Sequence, residues 1–194
     1  MLSGQLLWLG VTTSFAWHCS WPVPEALPVG QVYAWVVSEA GCVLLIGMPG
    51  GWNLPGGTPE VHDASWEATL HREVLEEADI TLRDVVPLGY QVVRSGDAEP
   101  FAQLRVAARV GEWRARTPDP DSGLVYPRVW VPLGEAADLL GWGASGHAQA
   151  AAVARVGCEV YGVVALAAIA QGTSAASAPD PGKLKKAPPP RTDT

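Results

Sequence analysis

Basic side chains are absent from the first 71 of the 194 residues. All 13 lysines and arginines lie at or after Arg72, whereas the same stretch contains five acids. The whole chain has 20 acids and a net charge of -7, which excludes the strongly basic surface that DNA- and RNA-coating proteins present. We therefore expect no polymeric nucleic acid as a partner.

Cysteine is also scarce. Cys19, Cys42 and Cys158 are too few and too far apart for a disulfide scaffold or a four-ligand zinc site. We interpret Cys42 and Cys158 as small apolar core residues. A reducing, cytoplasmic location is the simplest prediction.

Long hydrophobic runs are missing as well. Residues 160–170 are mostly apolar, but they fall short of the roughly 18 residues that a membrane-spanning helix requires. Residues 1–24 are uncharged and include Ser14-Phe15-Ala16, a pattern typical of a signal cleavage site, yet no basic residue precedes the apolar run. We predict no membrane partner and keep export as a minor alternative.

Composition divides the chain into three predicted segments. Residues 1–27 form an N-terminal arm, because the prolines between Trp21 and Pro28 prevent a regular helix or a central strand. Residues 28–172 form the folded domain. Residues 173–194 are rich in Ser, Ala and Pro, hold all three lysines, and are predicted to be a disordered tail.

The folded domain alternates strand and helix patterns. A helix is predicted from Ser65, with Trp66, Leu70 and Val74 facing the core. Further helices are predicted over residues 135–140 and from His147 onward. Strand patterns cover a hairpin of residues 32–37 and 43–46, then residues 88–93, 101–110 and 127–131. These elements indicate an α/β fold with a mixed sheet.

Three carboxylates share one side of the helix that begins at Ser65. Glu73, Glu76 and Glu77 stand at i, i+3 and i+4, so the spacing places their side chains close together. Like charges at this spacing cost about 0.2–0.5 kcal/mol per pair, whereas Mg²⁺ or Mn²⁺ would use the same oxygens as ligands. Three acids alone are more often a solvated helix face.

The residues around the three glutamates favour a metal site over a solvated helix face. Leu54-Pro55-Gly56-Gly57 is followed by a short loop and then by Arg72-Glu73-Val74-Leu75-Glu76-Glu77-Ala78-Asp79-Ile80. This order resembles the signature box of the Nudix hydrolases: a glycine, five residues, a glutamate, seven residues, then Arg-Glu-aliphatic-x-Glu-Glu-x-Gly-aliphatic. The resemblance covers residues 28–160 and implies the Nudix α/β/α sandwich.

The sequence departs from that box at two places. Asp63 falls at the box glutamate when counted from Gly57, but eight residues instead of seven then separate it from Arg72; counted back from Arg72, the position is Ala64. We favour an inserted residue between Asp63 and Arg72, because this alignment keeps a carboxylate in place. Asp79 replaces the box glycine, where the helix should end in a left-handed turn.

The resemblance implies a Mg²⁺-dependent pyrophosphohydrolase, with Mn²⁺ as the alternative cation, acting on a small nucleoside diphosphate linked to another group. It implies Glu73, Glu76 and Glu77 as metal ligands and catalytic residues, with the Gly57 carbonyl as a further ligand. Arg72 would hold a box carboxylate by an ion pair. The alternative is a Nudix-fold nucleotide-binding or regulatory module without turnover.

Several assignments stay open from the sequence. The general base is Glu73, Glu77 or an acid on a later loop: Glu112, Asp119 or Asp121. Side chains weighed as substrate contacts against ordinary core or surface roles are Tyr33, Trp35, Gln103, Arg105 and Arg128. His62 and His71 are interpreted as surface residues, since Mg²⁺ prefers oxygen ligands. Neither the group linked to the nucleotide nor the oligomeric state follows from the sequence.

Overall fold

A computed structural model describes residues 2–8 and 11–171, with side chains from residue 12 onward. The strands are β1 Leu2–Trp8, β2 Val11–His18, β3 Val29–Val36, β4 Cys42–Met48, β5 Gly51–Asn53, β6 Gly56–Gly57, β7 Ile80–Ser95, β8 Phe101–Trp113 and β9 Arg128–Pro132. The helices are α1 Trp66–Ala78, α2 Leu133–Leu139, α3 Gly143–Glu159 and α4 Ala167–Ala170, with a 3₁₀ turn at Val164–Leu166 before α4.

The strands form two sheets. The larger has the order β1-β2-β7-β8-β3-β6, and the smaller has the order β5-β4-β9. Strands β3 and β8 run parallel, while the other described neighbours run antiparallel. The mixed α/β architecture is therefore confirmed.

Alternation along β3 explains the layered packing. Val32, Ala34 and Val36 face the core that contains Leu70 and Val74 of α1. Trp35 and Val37 face the opposite core, which contains residues of α2 and α3. Because side chains alternate across a strand, one strand supplies both cores, and helices cover both faces of the sheet.

The predicted hairpin of residues 32–37 and 43–46 is wrong in its pairing. A tight turn joins the two strands, and Val37 forms an isolated bridge with Val43. Beyond that bridge the strands separate: β3 pairs with β8 and β6, whereas β4 pairs with β5 and β9. Strands that are buried on both faces carry no side-chain signal for their neighbour in the sheet.

The other predicted elements are present with shifted ends. The strand predicted over residues 88–93 extends over 16 residues as β7, through Pro87 and Gly89. The helix from His147 begins earlier, at Gly143, and ends at Glu159. Among the described residues, no helix is long and apolar enough to cross a membrane.

The N-terminal residues contribute to the sheet. Strand β2 pairs with β7 from Thr13↔Ser95 to His18↔Tyr90, and β1 pairs with β2. The segment between Trp21 and Pro28 is irregular, as its prolines predict. The boundary at residue 28 stays a prediction, and the predicted tail lies outside the described residues.

Candidate active site

Two glycines bring the β6 backbone against its neighbours. Gly56 has φ +140°, and a Cβ there would lie 2.2 Å from the Val32 carbonyl oxygen and 2.7 Å from the Tyr33 Cα. A Cβ on Gly57 would lie 2.5 Å from the Glu73 carboxyl carbon. Glycine is therefore required at Gly56, where a Cβ would overlap the β3 backbone, whereas a Cβ at Gly57 would displace the Glu73 carboxylate from its place beside β6.

Helix α1 begins where the sequence predicts. The Ser65 hydroxyl accepts a hydrogen bond from the Ala68 N–H at 3.3 Å and so caps the helix. Leu70 and Val74 are fully buried, which fixes the rotation of the helix on the sheet. The four charged residues Arg72, Glu73, Glu76 and Glu77 consequently lie along the side of α1 next to β6 and its loop.

Arg72 holds the loop between β6 and α1. Its guanidinium donates to both carboxylate oxygens of Asp63, at 3.3 and 3.0 Å, and to the Thr58 carbonyl at 3.0 Å. It also forms an ion pair with Glu60 at 3.1 Å. The hydrogen bonds from Arg72 hold the pKa of Asp63 well below its usual range.

This pairing favours one of the two box alignments. Asp63 is the residue reached by counting from Gly57, and its side chain is only 4% exposed. Ala64, the alternative, has no group that could pair with an arginine. The extra residue is therefore accommodated between Asp63 and the helix, and Asp63 takes the place of the box glutamate in fixing Arg72.

The three helix glutamates have different partners. Glu73 accepts a hydrogen bond from the Thr58 N–H at 3.0 Å and another from Arg72 at 3.1 Å. Glu76 accepts from Arg72 at 3.0 Å, one helical turn away. Burial raises the pKa of Glu73, while Arg72 opposes that shift.

Glu77 is the most buried of the three, with 8% of the residue exposed. Its Oε2 accepts the Gly56 N–H at 2.8 Å, and within residues 12–171 it has no ion pair. Burial raises the pKa of Glu77 to about 8, and the neighbouring Glu73 and Asp119 charges add to the shift. Because a nearby positive charge favours the ionised form of a carboxyl group, a bound cation would stabilise Glu77 as a carboxylate.

A cavity of about 340 Å³ opens beside these groups. It is lined by Tyr33, Met48, Asn53, Gly56, Gly57, Thr58, Pro59, Glu60, Glu73, Glu77 and Asp121. Three of the four predicted metal-binding residues, Gly57, Glu73 and Glu77, therefore border one space. The wall includes four acids and no basic side chain among the described lining residues.

Glu76 lies apart from that wall because Arg72 holds its carboxylate. The convergence of all three glutamates that the spacing suggests is not found: no three Asp, Glu, His or Cys side chains in the described part of the chain meet closely enough to hold a metal ion. The ligand roles of Gly57, Glu73, Glu76 and Glu77, and the catalytic role of Arg72, remain proposals.

Among the later acids, Asp121 is the one that borders the cavity. Asp119 is buried in its own loop, where its carboxylate accepts the Ser122 N–H at 2.7 Å. Glu112 lies at the exposed end of β8 and pairs with Arg114 at 2.7 Å. Of the loop acids, the geometry therefore leaves Asp121 as the candidate general base.

Glu60 was missed by the sequence reasoning, although it borders the cavity and contacts Arg72. Its position in the loop between Gly57 and Asp63 was the available signal.

Tyr33, which the sequence left undecided, lies in the cavity wall, whereas Trp35 is fully buried in the core.

Arg105 does not form the surface ion pair that one interpretation suggested. It is 2% exposed and stacks between the rings of Tyr33 and Trp142, at 4.8 and 5.0 Å. It donates to Gln149 and Gln103 at 3.1 Å each, and burial lowers its pKa to about 10. Arg105 thus supports Tyr33 from behind the cavity wall.

Arg128 and the two histidines lie away from the cavity. Arg128 donates to the Ala78 carbonyl at the end of α1 and covers the Trp113 ring at 4.4 Å. His62 is exposed and lies 3.4 Å from Glu60, and His71 is also exposed.

Comparison with known proteins identifies the family. The NUDIX domain model matches residues 28–152, and the chain belongs to the Nudix superfamily. The pyrophosphohydrolase BsRppH of Bacillus subtilis shares 17% identity, with 66% of this chain and 77% of that chain covered at a TM-score of 0.50. A UDP-X diphosphatase shares 17% identity over 78% of this chain and 66% of its own, at a TM-score of 0.46. No curated protein matches significantly.

The donor set agrees with the divalent cations that Nudix hydrolases generally use. Glu73 and Glu77 supply hard oxygen donors, and the close approach of Gly57 to Glu73 leaves room for no side chain between them. Glu77 is buried without a basic partner among the described residues. The residues present therefore fit Mg²⁺ or Mn²⁺.

Proposed function

We propose that the chain is a Mg²⁺- or Mn²⁺-dependent hydrolase that cleaves the diphosphate linkage of a nucleoside diphosphate joined to a further group. The observation that supports this most is Glu77, a buried carboxyl group without a basic partner in residues 12–171, next to Glu73 and Gly57 in an open cavity. Membership of a family of hydrolases acting on pyrophosphate bonds gives the reaction class.

The residues have separate roles in this proposal. Glu73, Glu77 and the Gly57 carbonyl would hold the cation, and Glu76 would join them once its hydrogen bond to Arg72 is broken. When bound, divalent cations shield phosphoryl oxygens and lower the pKa of water. Arg72 keeps the β6–α1 loop closed through Asp63, so that Glu73 stays beside β6.

Asp121 and Glu73 lie on the cavity wall and can accept a proton from water that enters the space. Tyr33 supplies an aromatic surface on the same wall, supported by Arg105. An aromatic face of this kind accommodates a planar base or sugar. The ionised carboxylates of this acidic wall would repel a diphosphate, so a cation is needed for the substrate to approach.

A second candidate function is a nucleotide-binding module without turnover. The observation that favours it is Glu76, whose carboxylate is bound to Arg72 and does not border the cavity. Such a module would bind a nucleotide and release no phosphate or nucleoside monophosphate.

The two functions are distinguished by a product-release assay with Mg²⁺ or Mn²⁺ on nucleotide sugars, dinucleotides, ADP-ribose and nucleoside triphosphates. We expect turnover of at least one class, abolished by chelation. Glu76→Gln and Glu77→Gln should each reduce kcat by at least about 100-fold, because each removes a carboxylate charge from the cation site. Both variants should fold normally.

Glu67→Gln is the matched control, because Glu67 lies exposed in the first turn of α1. It should retain full turnover. Full activity of both Glu76→Gln and Glu77→Gln would contradict the assigned ligands. Tight binding of one nucleotide without any turnover would identify the module instead.

A further inference from the structure

Asp79 occupies the position at which the family box has glycine. It ends α1 in the left-handed conformation, with φ 48° and ψ 46°. Glycine takes this conformation freely, whereas a residue with a side chain is strained there. The Asp79 side chain should therefore make contacts that a glycine could not make.

Such contacts are present, and they are buried. The Asp79 Oδ1 accepts hydrogen bonds from the Thr117 N–H at 3.0 Å and from the Thr117 hydroxyl at 2.7 Å. The Oδ2 lies 3.2 Å from the Arg116 guanidinium in an ion pair without hydrogen-bond geometry. Asp79 itself is 2% exposed, so these contacts are shielded from water.

The partners of the Asp79 side chain belong to one segment, residues 114–127, which joins β8 to β9. Its first residue donates from the Arg114 N–H to the Asp79 carbonyl at 2.8 Å. Its last residue, Pro127, accepts from the Gly47 N–H of β4 at 2.7 Å. Both ends of the segment are thus attached, the first end through Asp79 and through Arg116, which also donates to the Ala78 carbonyl at 3.4 Å.

The tip of the same segment reaches the cavity. It is folded on Asp119, whose carbonyl accepts the Gly123 N–H and whose own N–H donates to the Leu124 carbonyl, both at 2.8 Å. This compact turn presents Asp121 to the cavity that Glu73 and Glu77 also line. A compact tip moves as a unit, so its placement depends on its attachments.

We propose that Asp79 is a positioning residue that fixes the 114–127 segment through Thr117, so that Asp121 stays in the wall of the cavity that Glu73 and Glu77 also line. Asp79 in place of the box glycine then has a structural role in this protein, and its presence does not indicate that the active site has been lost. The inference rests on the proposed function for its kinetic consequence, but the placement of the segment can be measured without turnover.

The test compares Asp79→Gly with Asp84→Gly. Asp84 is a second aspartate in the left-handed region, with φ 54°, and its exposed side chain pairs with Arg83. Both variants relieve the same backbone conformation, but only Asp79→Gly removes the bonds to Thr117. Hydrogen exchange and kinetics are measured on the full chain, and binding of Mn²⁺ alone is measured by calorimetry or paramagnetic resonance.

We expect Asp79→Gly to speed exchange in residues 114–125 at least about tenfold, while peptides from α1 and β3 keep their protection. The kcat should fall between about 10- and 100-fold, the range expected when a group on the wall is misplaced by about 1 Å. The KM and the affinity for Mn²⁺ should change less than about threefold. Asp79→Asn keeps the acceptor for Thr117 and should recover most of the kcat.

Exchange and kcat that match the Asp84→Gly control would overturn the proposal, as would an Asp79→Asn variant with the same loss as Asp79→Gly. If Asp79→Gly does not fold, Thr117→Val takes its place, because it removes the hydroxyl donor and leaves α1 intact. A wild-type protein without turnover on any substrate would contradict the proposed hydrolase, while the exchange data would still decide on the placement of the segment.

Discussion

Glu77 links the ionisation of the site to the stability of the fold. Its pKa is about 8 in the folded protein and near 4.5 when unfolded, because burial disfavours the charged form. The unfolded state therefore releases a proton that the folded state keeps, and without divalent cations stability should decrease as the pH rises from about 4.5 to 8. One pKa unit corresponds to about 1.4 kcal/mol, so the total is on the order of a few kcal/mol.

Denaturant unfolding in a chelating buffer at pH 5, 6.5 and 8 measures this effect. Glu77→Gln should have a much smaller slope with pH and should be the more stable protein at pH 8. Some slope should remain, since the pKa of Glu73 is also raised. An identical pH dependence in Glu77→Gln and wild type would show that Glu77 is ionised in the folded protein.

At the level of single residues, the sequence placed Arg72 and the glutamates on one side of α1, and the family resemblance implied an ion pair between Arg72 and a box carboxylate, but the partner of Glu76 was not predicted. Helical spacing is enough to place Glu73 and Glu77 on one side of α1. The pairing of Glu76 with Arg72 instead of with its neighbours depends on the closed loop that also brings Asp63 and Glu60 to the same guanidinium. Residue spacing alone does not predict which of several carboxylates will pair with one arginine.

Strand β6 is the shortest of the described strands, and its backbone packs so closely against β3 that no Cβ fits at Gly56. Gly56→Ala should lower the free energy of unfolding by about 3 kcal/mol or more, because the new Cβ would overlap the β3 backbone and the left-handed φ would be strained. Gly50→Ala is the control, as no atom lies within 4 Å of a Cβ there. Its effect should stay within about 0.5 kcal/mol. Urea unfolding measures both, and equal values would contradict the required contact.

Among the secondary structure elements, helices were predicted more closely than strands. Helix α1 begins at its predicted cap, because Ser65 and the spacing of Leu70 and Val74 are local signals. Strand β7 was predicted as six residues but has 16, since the register shifts near Pro87 and Gly89 let the pairing continue past residues that usually end a strand. The separation of β3 and β4 into two sheets depends on their pairing with β8 and β9, which are distant in sequence.

For the whole molecule, the N-terminal strands protect an edge of the larger sheet. Deletion of residues 1–18 would expose the β7 backbone from Tyr90 to Ser95 and remove Trp17, which is 5% exposed in the core. Loss of a buried Trp costs about 3–5 kcal/mol, which corresponds to about 6–20 °C in Tm for a domain of this size. The open edge should also promote self-association.

Differential scanning calorimetry and size-exclusion chromatography test this expectation. Deletion of residues 173–194, the predicted tail, is the comparison, and it should leave the Tm, the oligomeric state and turnover unchanged. A fragment without residues 1–18 that keeps the wild-type oligomeric state and Tm would show that the folded domain needs no N-terminal strands.

The acidic wall of the cavity has a consequence for the end of the reaction. A diphosphate linkage between two groups carries two negative charges, whereas the two phosphate monoesters formed by the proposed hydrolysis carry between about three and four in total. Repulsion from Glu60 and Asp121, the two acids of the wall that are not proposed to hold the cation, therefore grows at the moment of cleavage. The same acidic wall that makes the substrate dependent on a cation would then favour rapid departure of the products, the step that limits the turnover of many enzymes.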